Sequence, residues 1–139
     1  MPTHFHFLVY VKSQETERIR NSVGILLSSY TKAINKRHHR HGSLFQLHTK
    51  ARCIDDEGYL ITAVTYIHQN PVRAGLVKKP EDWEFSSYLD YLGRGGFELG
   101  DGDRLVLDKH KVLSYFSSIQ EFREYSNTLL HSVDKRYWV

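Results

Sequence analysis

Apolar and polar positions alternate through residues 2–11. Phe5, Phe7, Val9 and Val11 fall on one side of an extended chain, and His4, His6, Leu8 and Tyr10 on the other. Side chains alternate faces along a strand, and β-branched and aromatic residues dominate the stretch, so the pattern predicts a β-strand with one wholly apolar face. His4 and His6 share the other face, at a spacing that suits one divalent cation. Two histidines on a half-exposed sheet face fit the same spacing.

The period then changes. Residues 13–16 are polar and suited to cap a helix, and Ile19, Val23, Leu26, Leu27, Tyr30 and Ile34 follow at helical spacing. The end of this segment is basic, with Lys32, Lys36, Arg37, His38, His39, Arg40 and His41, and Gly42 is the expected terminator. The cations read either as a solvated end that complements the helix dipole or as a patch that contacts phosphates. Residues 43–54 alternate imperfectly and predict a second extended segment.

Acidic residues at 55–57 and Gly58 predict a turn into another helix, with Leu60, Ala63, Val64 and Ile67 as its buried stripe. At about 100° per residue, Tyr59, Tyr66 and Asn70 share the flank of that stripe, and His68 lies more than a quarter turn away. Pro71 disfavours helix at Asn70, so the helix is expected to stop there, with Asn70 as N-cap and Pro71 at the first position of a short turn closed by Arg73 and Gly75. Taken singly, Tyr66 also reads as a core-edge tyrosine and Asn70 as a cap.

Trp83, Phe85, Tyr88, Leu89 and Leu92 predict a short helical return. Gly93, Gly95, Gly96, Gly100 and Gly102 mark a loop without phosphate-cradling spacing. Asp108 is a cap candidate for a helix carrying Val112, Leu113, Phe116 and Ile119. Ser118 and Glu121 form a capping-box pattern for a last helix with Phe122, Tyr125 and Leu129.

Composition narrows the function classes. The 139 residues are 40% hydrophobic and 25% charged, enough for one domain with a core. No apolar run reaches membrane-spanning length, so no membrane partner is expected. Cys53 is the single cysteine, which excludes an internal disulfide and a cysteine-based zinc cage and favours a cytoplasmic location. A formal charge of +3 permits a nucleic-acid partner without requiring one.

Two blocks give the chain a family resemblance. Residues 1–9, Met-Pro-Thr-His-Phe-His-Phe-Leu-Val, resemble the Met-Pro-Asn-His-hydrophobic-His strand of the IS200-like, single-tyrosine transposases of the HUH endonuclease superfamily, in the branch associated with repetitive extragenic palindromes. Residues 66–77, Tyr-Ile-His-Gln-Asn-Pro-Val-Arg-Ala-Gly-Leu-Val, are similar to that family's more specific block, and Ser86, Ser87 and Tyr88 fit its Ser-Ser-Tyr ending. Thr3 stands where the family has Asn. Members carry a strand and a helix before the His strand, and Met1 coincides with the family's internal methionine, so the resemblance implies either a start placed too late or a domain lacking that pair. A missing strand would leave a sheet edge open to dimerisation.

The resemblance implies a fold, a site and an activity. The fold is α+β, a small antiparallel sheet of HUH, ferredoxin-like type with the His strand central and the Tyr66 helix over its His face. Residues 1–92 would form the transposase-like domain, 93–107 a Gly-rich linker and 108–139 a helical extension. His4, His6 and Asn70 would ligate Mg²⁺ or Mn²⁺, and Tyr66 would attack a phosphodiester of single-stranded or hairpin DNA to form a 5′-phosphotyrosine. Lys32, Lys36, Arg37, His39, Arg40 and Arg73 would contact the DNA. Two readings compete with this enzyme: a non-catalytic DNA-binding remnant, and a small structural domain with buried histidines.

Overall fold

The computed structural model describes residues 4–12, 16–46, 49–95 and 107–128. Its helices are α1 (Thr16–Arg37), α2 (Glu57–Arg73), α3 (Tyr88–Tyr91), α4 (His110–Leu113) and α5 (Ile119–Asn127), with a 3-10 turn at Pro80–Asp82. The chain divides into two compact units, one of Met1–Phe7 with Cys53–Val139 and one of Leu8–Arg52. Among the described residues no helix is long and apolar enough to cross a membrane.

The expected antiparallel sheet is not there. No strand occurs among the described residues, and the α+β expectation is corrected to a helical fold. Residues 4–12 carry the residue types of a strand, but a strand is stable only when its N–H and C=O groups enter a ladder, and no described segment pairs with them. Their apolar face is accordingly unburied, with Phe7 66% and Val9 63% exposed. The second expected extended segment also lacks regular structure. Ser43 Oγ bonds the Phe45 carbonyl at 2.6 Å and accepts from the Phe45 N–H at 3.2 Å, a local turn that competes with any ladder. Residues 47–48 lie outside the described residues.

In the first unit, α2 is built as its ends dictate. Asp56 is the N-cap, its carboxylate accepting from the Tyr59 N–H at 2.7 Å. The helix does not stop at Asn70. It runs through Pro71 to Arg73, and the Ala74 N–H bonds the Asn70 carbonyl. Pro71 lies inside the last turn and removes the donor of one i→i−4 bond without ending the helix, and the chain leaves through a Schellman arrangement. Leu76 N–H bonds Pro71 O, Gly75 N–H bonds Val72 O, and Gly75 takes φ +69°. Asn70 is thus a helical residue one turn beyond Tyr66, not the cap the sequence predicted.

α2 packs on α5 and the 3-10 turn, and its inward face differs from the predicted stripe. Val64, Thr65, His68 and Gln69 are buried, whereas Leu60, Ala63 and Ile67 are half-exposed. Val64 joins Tyr88, Tyr91, Leu92, Val112 and Phe122 in the core. Each fully buried aromatic there contributes about 1.5–3 kcal/mol. The Tyr91 and Phe122 rings stack with centroids 5.2 Å apart. α5 starts at Ser118, whose Oγ accepts from the Glu121 N–H at 3.1 Å. The reciprocal half of the box is shifted by one residue, since the Glu121 carboxylate takes the Ser117 N–H and hydroxyl, both at 2.6 Å. Asp108 does not cap α4, whose N-cap is Lys109, and Ile119 belongs to α5.

In the second unit, α1 ends five residues before Gly42. His39 takes the left-handed conformation just past the helix, at φ +49°, and Gly42 follows with φ +93°. Arg40 N–H bonds Asn35 O at 3.0 Å and His38 N–H bonds Ile34 O at 3.0 Å, while the Asn35 amide donates to Gly42 O at 2.9 Å.

Candidate active site

Tyr66 and Asn70 are one turn apart on α2 and so project from the same side of the helix. His6 comes to that side. The Asn70 Nδ2 and His6 Nε2 are 2.7 Å apart, and the His6 and Tyr66 rings meet edge to face with centroids 5.8 Å apart. His4 and His6 are themselves T-shaped neighbours at 5.1 Å. Asn70 is buried, Tyr66 and His6 are half-buried, and His4 is exposed. The strand geometry expected to present the histidines is absent, but His6, Tyr66 and Asn70 come together, with His4 beside His6.

Burial, with the nearby charge of His4 as a second cause, holds the His6 pKa below the ordinary histidine range. The neutral ring is therefore favoured near neutral pH, and the neutral ring is the ligand form.

The donor set can be tested against a divalent ion. Two donors at adjacent corners of an octahedron with bonds of about 2.1 Å lie about 3.0 Å apart, so the pair at 2.7 Å needs only slight widening to share an ion. Two imidazoles on one ion, at angles of about 90–109°, hold their centroids about 4.6–5.3 Å apart, which brackets the 5.1 Å of His4 and His6. The ligating atom of Asn70 would be Oδ1, which a flip of the amide exchanges with Nδ2. Among the described residues no group of three or more His, Cys, Asp or Glu converges. An ion here draws on two imidazoles and one amide, and its remaining positions fall to water or phosphate oxygen.

Of the basic residues, Lys36, Arg37, His39 and Arg40 are gathered in the last turn and cap of α1, with Lys32 one turn before Lys36, and all are exposed. Arg73, also exposed, belongs to the other unit, at the end of α2.

One polar group inside the first unit escaped the sequence reading. His68 is 2% exposed, and its ring is flanked by Tyr88, Tyr91 and Phe122 at centroid distances of 5.3, 5.2 and 6.2 Å. Its Nε2 lies 3.1 Å from Ser87 Oγ, whereas Nδ1 has no partner. Burial drives its pKa down to about 3. The available signal was the run Val64, Thr65, His68 and Gln69, which repeats at one, four and five residues and marks a helix face that is apolar only in part.

Comparison with protein-family models, with curated proteins and with solved structures gives no match. The functional reading therefore rests on the residues and their geometry.

Proposed function

We propose that this chain is a divalent-metal-dependent strand transferase acting on single-stranded or hairpin DNA in the cytoplasm, with Tyr66 as nucleophile. The observation that supports it most is the approach of His6 to both Tyr66 and Asn70, which sets a phenol beside a donor set suited to a cation. His4, His6 and Asn70 would hold the ion. When bound, Mn²⁺ or Mg²⁺ supplies charge neutralisation at the scissile phosphate, and imidazole donors favour Mn²⁺ of the two.

The Tyr66 phenolic oxygen bonds to phosphorus as the bond from phosphorus to the 3′ oxygen breaks. The phenol gives up its proton and the departing 3′ oxygen takes one. The downstream strand is left joined through its 5′ phosphate to tyrosine, and the upstream strand ends in a free 3′-OH. Attack by another 3′-OH reverses the step and joins strands without an external energy source. The cations Lys32, Lys36, Arg37, His39 and Arg40 of one unit would hold backbone phosphates, and Arg73 of the other is a separate candidate contact.

The test is incubation of an end-labelled pool of single-stranded hairpins with the chain and Mn²⁺. A detergent-resistant protein–DNA adduct that disappears in Tyr66→Phe is the expected result. Salt-sensitive binding with no adduct under any divalent ion would overturn the enzyme reading in favour of a DNA-binding remnant.

A further inference from the structure

A cleft of about 340 Å³ opens between the end of α2, the turn that follows it and α5. Gln69 and Val72 come from α2, Lys78, Lys79 and Pro80 from the connecting turn, and Arg123 and Ser126 from α5. None of them belongs to the Tyr66 site. The turn is fixed by its own chemistry: Lys79 is extended, Pro80 occupies the first position of the 3-10 turn, and Asp82 accepts from the Lys79 N–H at 3.2 Å. The opposite wall is tied down by Gln69, whose Nε2 donates to the carbonyls of Ser126 at 2.9 Å and Thr128 at 2.7 Å.

Charge and polarity inside the cleft are unbalanced. Lys78, Lys79 and Arg123 face one carboxylate, Glu81, which accepts from Arg123 Nη2 at 3.2 and 3.3 Å. Neither lysine is in an ion pair among the described residues. The Ser126 side chain is 0% exposed and its Oγ has no hydrogen-bond partner. A buried, unsatisfied hydroxyl is unfavourable for folding, and alanine would fill the same place without that cost. Val72 and Pro80 add apolar wall beside these groups.

We propose that this cleft binds a phosphomonoester of nucleotide size, its phosphate held by Lys78 and Lys79 and hydrogen-bonded by the Ser126 hydroxyl. Arg123 stays oriented by Glu81 and adds positive potential. The volume falls at the small end of ligand pockets, and Val72 with Pro80 suits the flat, weakly polar face of a base. The same chemistry is presented by a free nucleotide and by a nucleotide within a DNA strand. The site stands independently of the strand-transfer reading.

The experiment is calorimetric titration of the full chain with thymidine 5′-monophosphate, thymidine, inorganic phosphate and a thymidine tetranucleotide. Saturable binding of the monophosphate is expected, at least roughly tenfold tighter than thymidine. Lys78→Ala with Lys79→Ala should weaken it by about tenfold or more. Ser126→Ala should weaken it several-fold without lowering the urea midpoint of the unliganded chain, which separates ligand contact from folding. A tetranucleotide that binds more tightly than the monophosphate, with the same sensitivity to the variants, identifies a strand as the source, and one that binds no more tightly identifies a free nucleotide. Equal binding of thymidine and its monophosphate, no saturation at millimolar concentration, or affinity untouched by all the variants overturns the proposal.

Discussion

Asn70 and His6, 64 residues apart in the chain, meet through side-chain nitrogens 2.7 Å apart. An amide N–H₂ can face an imidazole nitrogen only if that nitrogen accepts, so the contact favours the neutral ring, in the same direction as the burial that lowers the His6 pKa. Replacing the amide by a carboxylate inverts the preference. Asn70→Asp should raise the His6 pKa through the nearby negative charge and tighten Mn²⁺ binding. Proton NMR titration of the His6 ring checks the first effect and calorimetry the second. An unchanged His6 titration would mean that the two side chains do not meet in solution.

Gln69 offers a test of how α5 is held. One amide nitrogen serves two carbonyls, those of Ser126 and Thr128, and the side chain is 1% exposed. Gln69→Leu keeps much of the volume but leaves both carbonyls without their donor. The expected loss is about 2–3 kcal/mol, from the cost of unsatisfied buried groups, read as a lowered midpoint in urea unfolding. A loss below about 0.5 kcal/mol, the level of an ordinary surface substitution, would show that the carbonyls find other partners.

The parts that local chemistry decides were legible. The helical character of α1 and α2, the turn at 55–58 that leads into α2 and the Ser118 start of α5 follow from side chains acting on backbone groups a few residues away. The parts that depend on a distant partner were not. Residues 4–12 satisfy every rule for a strand except the one that needs a second strand, and no hydropathy pattern supplies that. The stripe of α2 was misplaced for a related reason. Leu60 and Ile67 are more apolar than His68 and Gln69, but the inward face is chosen by what packs on it, here three aromatic rings and two carbonyls that need a donor. His6 lies in one segment and Tyr66 and Asn70 in the other, and it was a resemblance, not a periodicity, that had linked the two segments.

His39 ends α1 in a conformation that costs a residue with a Cβ about 1–2 kcal/mol. Glycine takes the same φ without that penalty, and the imidazole is exposed. His39→Gly should therefore stabilise the chain by about 1 kcal/mol, less any loss from a more flexible unfolded state, measured by urea unfolding. If the basic end of α1 holds DNA, the same variant should weaken binding of a single-stranded oligonucleotide. Strain retained at a binding residue has this signature, with stability and affinity moving in opposite directions. A variant less stable than the parent would show that the His39 side chain makes up for its backbone strain.

His68 makes the stability of the first unit depend on pH. Its folded pKa of about 3 lies far below the value near 6.5 of an unhindered histidine. Between those values the unfolded chain carries a proton that the folded chain lacks, so unfolding takes up a proton and stability falls as pH falls. The contribution is complete above about pH 7, shrinks below the unfolded pKa at up to about 1.4 kcal/mol per pH unit, and amounts to a loss of about 2 kcal/mol at pH 5. His6, also shifted downward, adds to the slope in the same direction. His68→Gln cannot titrate, so its stability should lie below the parent's at pH 8, where a packed aromatic contact is lost, yet fall less steeply between pH 7 and pH 4. Urea unfolding curves at several pH values measure both slopes. Parallel slopes for the two proteins would mean that His68 takes up its proton over the same range in the folded and unfolded chains, and the buried Nδ1 would then have to have found a partner.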